Sequence, residues 1–493
     1  MELLKNYIGG EWVESNTGET TESYNPATGE VVGLLTRSNE VDVQKVVTAA
    51  RTAYKIWRLT PAPVRGEILM KIGQALEKHK EALAQLLTRE MGKVLAEARG
   101  DVQEAIDVTY YFAGEGRRLF GQTMPSELNN KACMTVRDPI GVVAAITAWN
   151  FPTAIPAWKM MPALIAGNTV IFKPASDGAV VATALVKVMI EAGVPSGVVN
   201  LILGPGNLVG DALVTNPGID AITFTGSTET GTKMAAKAAL YNKRVSLEMG
   251  GKNAIIVMDD ADLDLAVDGI IWSAYGTTGQ RCTACSRVIV HRNVKEELLN
   301  KLVERIKDLK LGNGLDSKVD VGPVINSKQL DSIHQYVEIG KAEGARLLMG
   351  GEKATEGELA KGSFYKPTLF ADVTPDMRIA QEEIFGPVLS VITIESLAEA
   401  IEVNNNTKFG LSGSIYTQNI NNVYTAMRDI TTGILYVNAG TIGAEVHLPF
   451  GGTRGTGNGH REVGTAAIDF FTEWKSIYVD FSGTLQRAQI DNR

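Results

Sequence analysis

Residues 198–231 read VVNLILGPGNLVGDALVTNPGIDAITFTGSTETG. Twice in this stretch a short apolar, β-rich run leads into a glycine turn and then a helix: VVNLIL before Gly204-Pro205-Gly206, and AITFT before Gly226. Strand, turn and helix in alternation are the mark of βαβ units on a parallel sheet. A turn of this kind can also hold the phosphates of a dinucleotide on the backbone N–H groups at a helix start. Neither stretch matches GxGxxG, and each alone reads first as an ordinary tight turn. Their occurrence together in one α/β region shifts the reading toward nucleotide binding.

The same alternation extends outward through GVVAAI, NTVIFK and NAIIVM from Gly141 onward. Upstream, Val41–Arg118 has apolar residues at three- and four-residue spacing, which predicts helices. A second α/β region starts near Gly250 and continues through SRVIVHR, RLLMGG, VLSVITI and GSIYTQ. The last stretch, DFFTEWKSIYVDFSG, alternates like a strand and follows every core element. It reads as a strand with no partner left in its own chain, a candidate for pairing with another subunit.

A chain of 493 residues is too long for one core and divides into two or three domains. Its net charge of -8 at pH 7 disfavours nucleic acid and anionic lipid as partners. The N-terminal MELLKNYIGGEWVES lacks the basic and apolar regions of a secretory signal, so a cytoplasmic protein is expected. The most apolar stretch, 139–172, is interrupted by Asn150, Pro152, Pro156, Lys159, Pro162 and Asn168, which excludes a membrane span. The three cysteines, Cys133, Cys282 and Cys285, give no disulfide framework and suit a reducing compartment.

Two of those cysteines stand in GQRCTACSR, residues 279–287. Zinc requires four ligands, and no second CxxC or nearby histidine pair supplies them, so no metal is expected. Cys285 and Cys133 read as inert and buried. Cys282 follows a polar, glycine-containing turn, where a thiol can be activated as a nucleophile. A nucleophile needs a base and an oxyanion donor. Glu248 of VSLEMGGKN and Asn150 of TAWNFP each end an apolar run and are candidates for those parts. Each is equally well read alone as a polar residue at a strand end.

Seven stretches, TAWNFP, IFKPAS, FTGSTETG, LEMGGKN, GQRCTA, QEEIFGPV and PFGGTRGTGNG, occur in an order and spacing that resembles the NAD(P)-dependent aldehyde dehydrogenase superfamily. The resemblance runs from NYIGGEWV to the final strand. It implies an α/β fold with a Rossmann-type nucleotide-binding domain (1–120 and 140–249), an α/β catalytic domain (250–467) and a small β oligomerisation element (121–139 and 468–493). A homodimer or homotetramer is implied with it.

By the same resemblance Cys282 attacks the aldehyde carbonyl. Asn150 and the Cys282 backbone N–H hold the oxyanion, and Glu248 activates the water that hydrolyses the thioester. Lys159 is implied to take part in catalysis. Lys173 is placed at the adenosine ribose, Gly226, Ser227 and Gly231 beside the pyrophosphate, and Glu383 at the nicotinamide ribose with Phe385 alongside. Trp149, Ser176, Gly206, Gly210, Phe224 and Gly250 complete the implied cofactor contacts, and Phe151, Trp158, Arg118 and Phe450 the substrate contacts. Glu248 argues against the branch that passes the acyl group to coenzyme A, which typically lacks the base. The presence of Cys282, Glu248 and Asn150 argues against a catalytically silent member.

Departures refine these expectations. NAD-preferring members often carry KPAE where this chain has Ser176, so NADP is expected to serve at least comparably to NAD. The closing GNGHREVG carries His460 where many members have a shorter GxGRE turn. Trp158 replaces the arginine by which succinate-semialdehyde dehydrogenases often grip a distal carboxylate. EGRRLFG and TIGAEVHLPFGG are similar to members that oxidise 2-oxoglutarate semialdehyde or aminoadipate semialdehyde. The expected substrate is a short semialdehyde bearing a carboxylate, with Arg117 and Arg118 either near the tunnel or on a solvated helix face. A broad-range aliphatic or hydroxyaldehyde enzyme is the alternative.

Overall fold

A computed structural model describes residues 2–491 of the chain. The helical stretch near the N-terminus forms α1 (Glu40–Trp57), α2 (Ala62–Met91) and α3 (Leu95–Glu115). Asn39 caps α1 in a capping box with Asp42, and Gly92 ends α2 in the left-handed conformation that glycine adopts without a Cβ penalty. α4 (Ala154–Ala166) is buried along its whole length, so it reads apolar on every face.

Among the described residues the strands form four sheets. The first large sheet runs Arg244–Glu248, Ala221–Thr225, Val142–Ile146, Thr169–Lys173, Val199–Leu201, Asn6–Ile8 and Glu11–Val13. Its first five strands are parallel. From Val142–Ile146 the chain adds strands on one side, then returns to add Ala221–Thr225 and Arg244–Glu248 on the other. The order therefore reverses beside Val142–Ile146, and the loops leaving the two strands that flank this point are TAWNFP and GSTETG. A crevice at such a reversal is where open α/β sheets bind ligands.

The second large sheet runs Arg346–Met349, Thr368–Ala371, Val388–Ile394, Cys285–His291, Asn253–Val257, Ser412–Tyr416 and Ile434–Val437. All its pairings are parallel except the first. Only residues 249–252 separate Glu248, at the end of the first sheet, from Asn253, which opens the second. That crossing puts a strand end of one sheet beside a strand start of the other.

The two remaining sheets are three-stranded. One joins Leu3–Leu4, Val31–Thr36 and Thr20–Tyr24, elements that the sequence reading did not single out. In the other, Thr472–Asp480 pairs antiparallel with Lys131–Pro139 over nine residues, and Gln122–Pro125 lies on the far side. This corrects the expectation that the last strand lacks a partner in its own chain. Its alternating sequence pairs with a hairpin far upstream, and one edge of Thr472–Asp480 remains at the border of the sheet. No helix among the described residues is long and apolar enough to cross a membrane.

Candidate active site

The loop before Cys282 is held in an unusual backbone shape. Thr277 and Thr278 have φ of 51° and 59°, a left-handed region that side chains with a branched Cβ rarely occupy. Surrounding groups over-determine it. The Thr277 N–H donates to Glu97 at 2.8 Å, Thr278 Oγ1 donates to the Gly322 carbonyl at 3.0 Å, and buried Gln280 accepts from the Ile325 N–H at 2.9 Å. Asn253, at the start of the second sheet, donates to the Cys282 carbonyl at 2.8 Å. Cys285 opens the next strand and is buried in its core. Burial pushes the Cys282 thiol well up, and nearby Glu248 and Glu383 push it further. The backbone N–H groups of Thr283 and Cys282 act in the opposite direction. These influences favour the protonated thiol, for which a neighbouring base is useful.

Two cavities meet at that thiol. The larger, about 540 Å³, is lined by Trp149, Asn150, Gly226, Ser227, Gly250, Glu383 and Phe385 among others. The smaller, about 130 Å³, is lined by Phe151, Trp158, Phe450, Glu104, Arg281 and Glu248. Cys282, Thr225 and Met249 line both. Asn150 is buried and uses one amide N–H on the Gln280 carbonyl at 3.1 Å, which leaves the other amide hydrogen for an acceptor in the cavity.

Glu248 is buried with neither carboxylate oxygen hydrogen-bonded. Burial raises its pKa well above the usual carboxylate range. Glu462 raises it further, and Lys159 and Arg461 oppose. Lys159, wholly buried, pairs with Glu462 and donates to Thr223 Oγ1 at 3.1 Å. It lines neither cavity and acts on Glu248 through charge. A carboxyl of raised proton affinity on the same cavity wall as the thiol suits proton abstraction.

The wall of the larger cavity fits a nicotinamide dinucleotide. A Cβ on Gly250 would fall 2.2 Å from Glu383 Oε2, and one on Gly226 would fall 2.5 Å from the Phe224 ring, so bare backbone keeps this wall clear. Glu383 accepts from the Gly251 N–H at 2.9 Å, and burial pushes its carboxyl up to about 7. Phe385, with φ of 55°, stands edge-on to Trp149 at 5.5 Å between centroids. Ser227 caps the helix Thr228–Ala239, and Gly231 lies one turn inside it. Phe224 is buried beneath both Gly226 and Gly231 and so supports the turn rather than facing the cavity.

Lys173, Ser176, Gly206 and Gly210 lie beyond the larger cavity, around the ends of two neighbouring parallel strands, Thr169–Lys173 and Val199–Leu201. Burial lowers the Lys173 ammonium to about 8; it donates to the Pro174 carbonyl at 3.0 Å and lies 3.8 Å from where a Cβ on Gly206 would be. The cavity and these residues thus share one edge of the first sheet.

The Cys282 thiol thus lies between a large cleft and a smaller cavity. A family model described as the aldehyde dehydrogenase family matches residues 12–477. The chain belongs to that family. It is 44% identical over 475 residues to the alpha-ketoglutaric semialdehyde dehydrogenase of Bacillus subtilis, covering 96% of this chain and 97% of the relative. It is 44% identical over 477 residues to the alpha-ketoglutarate semialdehyde dehydrogenase of Haloferax volcanii, covering 96% and 98%. Among solved structures it is similar to a betaine aldehyde dehydrogenase of Staphylococcus aureus in complex with NAD+, with a TM-score of 0.95 at 34% identity, covering 98% of this chain and 96% of that one. An E. coli NADP dependent enzyme gives a TM-score of 0.93 at 36% identity, covering 97% and 98%. The protein is an NAD(P)-dependent aldehyde dehydrogenase, and its substrate is an aldehyde.

In this aldehyde dehydrogenase the structure places Arg118 with the second of its two alternatives, the exposed helix end. Arg118 lies outside the smaller cavity: its half-exposed guanidinium pairs with Glu115 at 2.7 Å near the end of α3. The cation on the wall is Arg281. Its guanidinium bonds Thr277 Oγ1 at 2.9 Å and Glu97 at 3.2 Å, and lies over the rings of Phe151 and Trp272. Position next to Cys282 was the available signal for Arg281. Glu104, on α3, had none, because its helix is distant in sequence and meets the cysteine loop only in the folded chain. Phe151, Trp158 and Phe450 line the cavity, the last two in edge-to-face contact at 4.6 Å.

Proposed function

We propose that Cys282 is the nucleophile of an aldehyde dehydrogenase that oxidises a short semialdehyde bearing a carboxylate, of which 2-oxoglutarate semialdehyde is the leading candidate. The observation that carries the substrate reading is Arg281, the one cation among the described residues on the wall of the cavity that Cys282 lines, which also carries the carboxyls of Glu104, Glu248 and Glu462. The names of the two relatives at 44% identity support the same substrate.

In the reaction Glu248 accepts the thiol proton and Cys282 Sγ bonds the aldehyde carbon. The Asn150 amide and the Cys282 N–H donate to the resulting oxyanion. Trp149, the Gly226–Ser227 turn and Glu383 would hold NAD(P), which when bound would supply the hydride acceptor for oxidation of the thiohemiacetal to the thioester. Glu248, having released the thiol's proton to solvent, takes a proton from the water that attacks the thioester, and the departing thiolate takes that proton back, giving the acid and the free thiol. Lys159, paired with Glu462 behind it, favours the ionised form of Glu248.

Ser176 supports comparable use of NADP and NAD, since a hydroxyl does not repel a 2′-phosphate as a carboxylate would. Residues 1–120 and 140–249 form the proposed nucleotide-binding domain and 250–467 the catalytic domain. Segments 121–139 and 468–493 are proposed to mediate a homodimer or homotetramer in the cytoplasm. Exposed Trp474, Tyr478 and Phe481 support that role.

The test is a panel of aldehydes assayed with NAD and NADP in parallel. A charge-assisted hydrogen bond to the carboxylate is worth about 1.5–3 kcal/mol. kcat/KM for 2-oxoglutarate semialdehyde should therefore exceed that for pentanal by roughly 10- to 150-fold. Equal efficiency for the two would overturn the substrate reading. A strong kinetic preference for NAD would overturn the cofactor reading.

A further inference from the structure

Glu104 is a carboxyl without a partner on the wall of the aldehyde cavity. It makes no hydrogen bond or ion pair among the described residues. Its neighbour Asp101, one turn earlier on α3, is fully engaged. Asp101 pairs with Lys93 at 3.0 Å and accepts from Thr153 Oγ1 at 2.6 Å and from the Ala154 N–H at 2.8 Å, which fixes the start of α4. Arg281, on the same cavity, is braced by Glu97 rather than by Glu104. The cavity therefore offers a cation for a carboxylate and, separately, a carboxyl that no protein group satisfies.

We propose that Glu104 is a specificity-determining residue of this cavity: carrying its proton, it donates a hydrogen bond to an oxo oxygen adjacent to the substrate carboxylate that Arg281 receives. An aldehyde ending in a 2-oxo carboxylate satisfies both groups at once. One ending in a simple carboxylate leaves the Glu104 donor on the cavity wall without its acceptor. The inference rests on the carboxylate reading above and deepens it.

The charges around Glu104 are consistent with a retained proton. Burial is the largest influence and raises its pKa to about 8; Asp101 and Asp107 on its own helix raise it too. Lys93, from the link between α2 and α3, and Arg281, from the cysteine loop, oppose. Tyr436, from the strand Ile434–Val437, is itself pushed to about 12 and stays neutral. Glu248, Glu462 and Cys282 lie on the same cavity wall. A bound substrate carboxylate neutralises Arg281 and favours the protonated form of Glu104 further. Loss of that proton as pH rises removes the donor and places an anion beside the substrate's own.

The experiment compares three five-carbon aldehydes: 2-oxoglutarate semialdehyde, glutarate semialdehyde, which has a methylene in place of the oxo group, and pentanal. Using ratios of kcat/KM cancels the titration of Cys282 and Glu248. In the wild type at pH 7 the oxo compound should exceed glutarate semialdehyde by on the order of tenfold, and this preference should shrink as pH rises from 7 to 9. Glu104→Gln, whose amide still donates but does not titrate, should keep the preference across that range. Glu104→Leu should abolish it at every pH through KM. The inference is overturned if Glu104→Leu leaves the oxo preference within about twofold of wild type, or if Glu104→Gln loses it with rising pH as the wild type does. Failure of the underlying carboxylate reading looks different: glutarate semialdehyde and pentanal would then be equivalent in the wild type.

Discussion

Replacing Gly250 with alanine would set a methyl group against the carboxylate proposed to hold the nicotinamide ribose. The new Cβ would lie 2.2 Å from Glu383 Oε2, 2.7 Å from its Cδ and 3.0 Å from Oε1, where ordinary contact begins at 3.4 Å. Rotating the carboxyl cannot relieve three such contacts, so the whole group must retreat by about 1.2 Å and loosen its bond from the Gly251 N–H. A misplacement of about 1 Å near reacting groups is enough to cost on the order of 10²-fold in rate. We expect kcat/KM for the cofactor to fall by about that factor. A deuterated aldehyde should show a larger isotope effect as hydride transfer becomes limiting. Gly250 has no positive φ, so the alanine strains no backbone, and the melting temperature should stay near wild type. Unchanged cofactor kinetics in a folded variant would refute the role assigned to Glu383.

Other substitutions probe the remaining parts. Cys282→Ala should abolish turnover, whereas Cys285→Ala should keep activity and lose about 1 kcal/mol of stability in denaturant melts through lost core packing. Glu248→Gln should retain part of a single-turnover burst of reduced cofactor while steady-state turnover falls by roughly 10²- to 10⁴-fold. Because burial raises the Glu248 pKa and Lys159 opposes that shift, thioester hydrolysis should rise with pH; Lys159→Met should move the rising limb to higher pH, visible in a kcat profile. Ser176→Glu should shift the cofactor preference toward NAD by repelling the 2′-phosphate, measured as the ratio of kcat/KM for the two cofactors. Arg281→Met should lower kcat/KM for carboxylated aldehydes about 10- to 150-fold relative to pentanal.

The sequence made local order readable and long-range meetings unreadable. Val142–Ile146, Ala221–Thr225 and Asn253–Val257 were visible because buried parallel strands are continuous apolar runs bounded by turns. Candidates for nucleophile, base and oxyanion donor stood out because a Cys, a Glu or an Asn at the border of such a run is chemically conspicuous. The pairing of Thr472–Asp480 with Lys131–Pro139 had no local signature, since more than 300 residues separate the two. Arg118 attracted attention as a charge beside an arginine and proved to be tied to Glu115, three residues earlier on the same helix end. Glu104 looked like any helical glutamate until α3 met the cysteine loop.

The crossing between the two large sheets has an evolutionary consequence. Within six residues it carries the proposed base Glu248, the clearance at Gly250, the Gly251 N–H on Glu383 and the Asn253 amide that pins Cys282. The proposed recognition end is assembled from α3, the start of α4 and the residue before the nucleophile, none of which belongs to that crossing. Substitution at Glu104, Phe151 or Trp158 can retarget the enzyme to a different aldehyde tail without disturbing the groups that break the C–H bond and release the acid. Change within 248–253 touches base, cofactor and nucleophile together and leaves little room for drift.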